Sequence, residues 1–353
     1  MKTMSFVLRS IAALLVAAAG TSAAQAATCG ISGSATAAPA LYDPFNPAGL
    51  AQTTVQLNLT RINGSGGQKT DIVSFYLKST NSAADGTSII PISVTGDVNT
   101  SGTGLEIFYD FAAAPPTVAP TSVNPTAANR FLKIEFTGNN AASDTAVVNF
   151  NIALPANLDL NASTNLPFDA IFACSTTGGG GPTQQTGQIT NAVQFPVTVL
   201  SALQASYAGT ALDFGEVGDK TTAQVLGSPA TYTTPNTNRV SVRSSGPYSV
   251  TLSSQNGYRL TYPGGNLGTA NQVLNYKLLF LGQTRSNASP TFASVTCQRA
   301  GVPASEADLL PVVATLLEGG FGKLVSPDYA DALTVTIAPL LSGAASQQNC
   351  PAL

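Results

Sequence analysis

The sequence predicts an all-β chain folded as two consecutive β-sandwiches. Three observations carry this. Short runs that alternate apolar and polar residues recur along the chain, as half-buried strands require. Turn chemistry rich in Gly, Asn, Asp and Ser separates most of them. The composition combines 32 Gly and 22 Pro with only 9% charged residues, and its apolar residues lean to Val, Ile, Leu and Phe, which suits many short strands joined by turns.

The elements follow in order. Lys2 and Arg9 flank the start of an apolar stretch, "IAALLVAAAG", and "AQA" at 24–26 offers a small-residue cleavage site. Residues 1–26 therefore read as an export signal and the mature chain as starting at Ala27; a lipoprotein reading through Cys29 is the alternative. Seven runs fill the first half: "TTVQLNLTRI", "TDIVSFYLKS", "IIPISVTGD", "LEIFYDF", "RFLKIEFTG", "TAVVNFNIAL" and "FDAIFACST". After the flexible "STTGGGGPTQQTG" comes "QITNAVQFPVTVL", with Val193, Phe195, Val197 and Val199 on one face. This strand closes domain one, 27–200.

Domain two, 201–353, supplies "LQASYAG", "ALDFGEV", "RVSVRS", "YSVTLSS", "YRLTYP", "LNYKLLFLG" and "ALTVTIAP". The run "ASEADLLPVVATLLEGG" has mixed spacing and reads as a short helix or helical turn capped by Ser305, with Pro311 limiting its length.

Several function classes are excluded or disfavoured. The chain has no His, so neither a Ser–His–Asp nor a Cys–His pair can form. No acidic residues fall into a recognisable glycosidase or calcium-loop pattern. The formal net charge of −3 argues against nucleic acid. No C-x-x-C spacing suggests metal or redox chemistry. The expectation is a non-enzymatic protein without cofactor or metal. Four cysteines in an exported chain read as disulfides. Of three possible pairings, Cys29–Cys174 with Cys297–Cys350 keeps each bridge inside one domain; a free Cys350 is the alternative.

Two long segments of domain one read as candidate adhesive loops. "AAAPPTVAPTSVNPTAAN" at 112–129 contains Pro115, Pro116, Val118, Pro120 and Val123; "LPANLDLNASTNLPF" at 154–168 contains Leu158, Leu160, Leu166 and Pro167. Long loops often carry function, and proline lowers the entropy lost on binding. The competing reading makes them ordinary connections whose apolar residues fold back onto the core.

The closing strand "ALTVTIAP" turns Leu333, Val335 and Ile337 to one side and leaves a sheet edge uncovered. Here a resemblance enters. "LDFGEV" at 212–217, "GPYSVTLSSQNGYRL" at 246–260, "LNYKLLFLG" at 274–282 and "YADALTVTIAP" at 329–339 together resemble the spore coat protein U domain. That domain is the pilin module of archaic (Csu-type) chaperone–usher pili. Domain one resembles the family more weakly, chiefly through "CGISGSATAAPALYDPF" at 29–45.

The resemblance implies immunoglobulin-like sandwiches, the second lacking its last strand. A periplasmic chaperone and then the adjacent pilin would fill the gap by strand addition. An outer-membrane usher would assemble the fibre, and Leu333, Val335 and Ile337 would line the groove. It also implies a disulfide between the first strand and the strand before "GPYSV", where Tyr207 and the Arg243–Ser244–Ser245 run stand instead. With cleavage after Ala26, no donor segment precedes Cys29. The expectation is therefore a two-domain adhesin at the pilus tip, binding abiotic or host surfaces and promoting biofilm. The rivals are an internal minor pilin, a carbohydrate-binding lectin tip and a non-pilus outer-layer protein.

Overall fold

The computed structural model describes residues 29–63, 68–79, 92–94, 103–107, 123, 132–136, 144–160, 163–177, 184–326, 328–341 and 346–352. The expected export signal lies outside them. Among the described residues the fold is all-β with one short α-helix, and the buried apolar residues form two clusters, one drawn from Cys29 to Val199 and the other from Val225 to Cys350.

The first sandwich begins with three short strands, β1 (Ile31–Ser32), β2 (Ala35–Thr36) and β3 (Ala40–Tyr42), followed by β4 (Leu50–Arg61), β5 (Lys69–Ser79), β6 (Ile92–Val94) and β7 (Thr103–Ile107). It continues with β8 (Leu132–Phe136), β9 (Thr145–Leu154), β10 (Ser163–Thr177) and β11 (Gln184–Val199). One sheet runs β1-β4-β9-β6 and the other β2-β11-β10-β5-β8-β7, with β3 also on β11. The period-2 pattern does what it predicts: Leu132, Ile134 and Phe136 of β8 are buried and Lys133 and Glu135 are not.

The opening segment crosses between the sheets. β1 pairs antiparallel with β4, whereas β2 and β3 pair parallel with β11. The crossing occurs at Gly33, at φ 149°, where a Cβ would lie 2.1 Å from the Asn58 carbonyl oxygen; only glycine fits so close an approach. The edge of β11 is thereby covered by the chain itself.

One expectation changes in this sandwich. Leu166 and Pro167 belong to β10, opposite Phe195 and Gln194 of β11. Pro167 has no N–H to donate and contributes only its carbonyl to a ladder. The bridge Cys29–Cys174 ties the start of the described chain to β10.

At the same end, Arg61, 4% exposed, donates to Asp144 at 2.7 Å, and Lys69 lies 3.6 Å from the same carboxylate. The Arg61 hydrogen bond holds the Asp144 carboxyl below the ordinary carboxylate range. A depressed folded pKa stabilises fully above the unfolded value of about 3.9 and is lost as pH falls through the folded value. Asp144→Ala is therefore expected to cost about 2 kcal/mol near neutrality, a charged hydrogen bond's worth. In denaturant titrations the gap to wild type should close toward pH 3; an equal gap at both pH values would remove the ion pair as its source.

The second sandwich comprises β12 (Leu203–Ala208), α1 (Thr222–Gly227), β13 (Arg239–Ser244), β14 (Tyr248–Ser254) and β15 (Arg259–Thr261). These are followed by β16 (Val273–Phe280), β17 (Gln283–Ser286), β18 (Val295–Cys297), β19 (Asp308–Leu316) and β20 (Leu333–Pro339). The larger sheet runs β12-β13-β19-β16-β15, with β17 also on β16, and the smaller β18-β14-β20. The expected helical turn around Ser305 is a single 3-10 turn, Ala304–Glu306, and the rest of that run is β19. Leu310, Val312, Ala314 and Leu316 alternate into the core, and Pro311 precedes the first residue paired with β16. The helix α1, closed by a Thr221–Gln224 capping box, has no counterpart among the elements read from the sequence.

Candidate functional site

The two sandwiches share a plan, and the comparison locates a gap. In the first, β1-β4-β9-β6 is matched by β12-β13-β19-β16 in the second; the pair β5–β10 is matched by β14–β20. After β10 the first sandwich adds β11, which pairs with β10 on one side and with β2 and β3 on the other. After β20 no strand follows among the described residues, and the only ladder partner of β20 among them is β14.

The chain beyond β20 goes elsewhere. Gln348 forms a parallel bridge to Cys297 of β18, its N–H donating to Thr296 O at 2.9 Å and its carbonyl accepting from Gln298 N at 2.9 Å. Cys350 is bonded to Cys297. The tail thus occupies the β18 edge, and β20 sits at the opposite edge of the same small sheet. Each disulfide stays within its own sandwich, Cys29–Cys174 in the first and Cys297–Cys350 in the second.

Beside β20 lies a groove of about 1110 Å³. Its walls are Leu333 and Val335 of β20, Leu252 of β14, Leu274 and Tyr276 of β16, and Val312 of β19. Leu333 and Val335 are half-buried, as a strand with one unfilled side should be. Ile337 is half-buried against the core but does not line the groove, so two of the three expected wall residues are found there. Across the groove runs 210–218, whose Leu212, Phe214 and Val217 pack onto the core without joining a sheet; the Phe214 and Tyr276 rings are 6.1 Å apart. This is the counterpart of β2 and β3, left without a strand to pair with.

The groove's start is fixed by Asp331, which accepts hydrogen bonds from Ser254 Oγ (2.5 Å), Tyr276 OH (2.6 Å) and Asn256 N (2.9 Å). Burial first, then the Asp331 hydrogen bond, pushes the Tyr276 phenol far above its ordinary value, so it stays a neutral donor. The walls beside β20 are therefore mainly apolar, with Asp213, Glu216, Lys323 and Asp331 also among the lining residues, next to a strand edge offering backbone N–H and C=O groups. That combination accepts an extended chain with alternating apolar side chains. Among the described residues no group of three His, Cys, Asp or Glu could hold a metal ion.

The expected adhesive loops fare differently. Pro115, Pro116, Val118 and Pro120 lie outside the described residues. Val123 is 4% exposed and its carbonyl accepts from Ser74 Oγ at 2.7 Å. Leu158, Leu160 and Leu166 are buried in the first core. These four aliphatic residues are corrected from surface contacts to core: the alternative reading of folded-back connections describes them. The 155–160 turn is held down by Tyr42, whose hydroxyl donates to Pro155 O at 2.6 Å and accepts from Leu158 N at 3.0 Å. It also lies at the end of the first sandwich that meets the second, because β10 begins opposite Thr198 beside the junction.

No family model and no curated protein matches the chain. Among solved structures it is similar to a chain of the CsuC–CsuE chaperone–tip adhesion subunit complex from archaic Csu pili of Acinetobacter baumannii. The identity is 13%, covering 87% of this chain and 99% of that one, at TM-score 0.35. It is similar to a chain of a chaperone–tip adhesin complex of CFA/I fimbriae at 12%, covering 87% and 96%, at TM-score 0.36. It is also similar to the CupB6 tip adhesin of Pseudomonas aeruginosa at 12%, covering 88% and 95%, at TM-score 0.26.

Proposed function

We propose that this protein is an exported, non-enzymatic adhesive subunit of a chaperone–usher pilus, standing at the fibre tip. The observation that carries the reading is the uncovered edge of β20 beside an apolar groove, with the chain's own tail bonded to the other edge of the sheet. A groove of this kind is completed by strand addition, first from a periplasmic chaperone and then from the adjacent pilin at the usher. The first sandwich needs no such help, since β11 fills the corresponding place. It is left free to meet a surface.

A second reading of the contact chemistry has support of its own. The strand ends at Arg61, Lys69, Phe136, Thr145, Thr177 and Gln184 lie remote from the second sandwich, and the sequences that join them read "NGSGGQ", "TGNNAASD" and "GGGGPT". If that end leads, it presents polar groups, which favours a polar or carbohydrate surface over an apolar one.

Co-expression with a periplasmic pilus chaperone should yield a stable complex, and Val335→Asp, which puts a charge in the groove, should abolish it. A secreted wild-type chain that stays intact and monomeric without any chaperone would sink the reading. Replacing the three polar sequences should leave chaperone capture intact and weaken attachment, scored separately on hydrophobic plastic and on glycan-coated surfaces. Attachment unchanged on both would take the contact away from this end.

A further inference from the structure

The 155–160 turn, read from the sequence as part of an adhesive loop, faces the second sandwich and meets two arginines there. Arg243 of β13 donates to Asn157 Oδ1 at 2.9 Å and lies over the Phe45 ring, 5.2 Å from its centroid. On its own side Arg243 donates to Val302 O at 2.6 Å and to Gln204 Oε1 at 3.2 Å. Arg299 pairs with Asp159, whose side chain is 3% exposed, and donates to Ser245 O at 3.1 Å. Each guanidinium thus bonds both sandwiches at once, using the fork of donors that makes arginine suited to such a place.

The connection between the sandwiches is equally constrained. Leu200 N donates to Tyr42 O at 2.8 Å, while Ser245 Oγ donates to Leu200 O at 2.7 Å and accepts from Ala202 N at 2.9 Å. Ser201 Oγ donates to the carbonyl of Leu340, the residue just after β20. The linker is therefore tied to the first sandwich, to β13 and to the end of the groove-edge strand.

The geometry points to a built-in rigid joint: Arg243 and Arg299 clamp the 155–160 turn and fix the first sandwich at one angle to the groove edge. Relative motion is the usual expectation for two units joined by a short linker with a small polar contact. Here the bonds across the contact converge on one turn, itself held by Tyr42, and the linker adds a direct bond to the strand beside the groove. Load on an occupied groove then passes to the first sandwich without a hinge.

The test is single-molecule energy transfer on the full chain, with dyes attached through unnatural residues at Thr60 and Thr284, both exposed. This leaves the four cysteines in their bridges. Wild type should give one narrow distance distribution. The pair Arg243→Ala with Arg299→Ala should widen it by about twofold or split it, as expected for freely jointed domains. Asp159→Asn, nearly isosteric, should widen it less and guards against a folding defect in the double variant. Circular dichroism and melting curves should match wild type for both. A broad wild-type distribution, or a wild-type width in both variants, would overturn the joint.

Discussion

Supplying a strand to the groove is expected to raise the stability of the second sandwich more than any other change to this protein. A segment of about ten alternating apolar and polar residues, fused to the C-terminus through a long Gly/Ser linker, can lie against β20 as β11 lies against β10. Each aliphatic side chain fully buried contributes roughly 1.5–3 kcal/mol. Three or four of them facing Leu252, Leu333 and Val335 contribute about 8 kcal/mol and some eight ladder bonds to β20 about as much again; less about 12 kcal/mol for ordering the segment, this should leave about 4 kcal/mol. In a unit of this size that is a rise of roughly 10–15 °C in Tm. Val335→Asp should cancel the gain, because the charge would be desolvated when the strand seats. If several donor sequences all leave the melting curve unmoved, β20 is not an acceptor edge.

Removing the Cys297–Cys350 bridge should give the next largest change, a loss confined to the second sandwich. The bridge closes a loop of 53 residues, for which the chain-entropy model gives about 4 kcal/mol. The tail also contributes two backbone hydrogen bonds through Gln348, which should fray once Cys350 is released. Cys297→Ser with Cys350→Ala should lower the melting point of the second sandwich and leave the first, with its own Cys29–Cys174 bridge, as it was. Hydrogen exchange should show lost protection at β18 and the tail. Loss of protection at β10 instead would mean that the two sandwiches unfold as one. Freed from β18, the tail can compete for the open edge of β20, so the variant should bind a donor peptide more weakly than the wild type.

The two arguments draw on different kinds of information. Strand identity was legible wherever alternation was clean: β8, β11, β14 and β20 fall where the pattern puts them, because one face of each is buried and the register of a strand cannot slip by one residue without exposing it. β19 was not legible. Its Pro311 and mixed spacing weigh against a strand until one sees that its inward positions are Leu310, Val312, Ala314 and Leu316 and that proline precedes the β16 ladder. Nor was α1, a six-residue helix whose only local signal is the Thr221–Gln224 cap.

The site divides in the same way. Leu333 and Val335 line the groove beside the last strand, on the face that alternation assigns them. Ile337, on the same face by period, is beyond the groove, since its length is set by neighbours on β14 and β16 rather than by β20. Leu158, Leu160 and Leu166 were misread because an apolar residue in a Pro- and Asn-rich segment has the same local sequence whether it points to solvent or back into the core.

By itself, then, the sequence determined that this is an all-β chain of many short strands, that catalysis through histidine is excluded, and that Leu333, Val335 and Ile337 of the last strand share one face. These are properties of composition and period, and both are local. Only the tertiary structure decided where the tail goes, which residues wall the groove, and that the turn at 155–160 faces Arg243 and Arg299. Those depend on contacts between residues far apart in the chain, where several arrangements satisfy the same alternation and packing of the whole selects one.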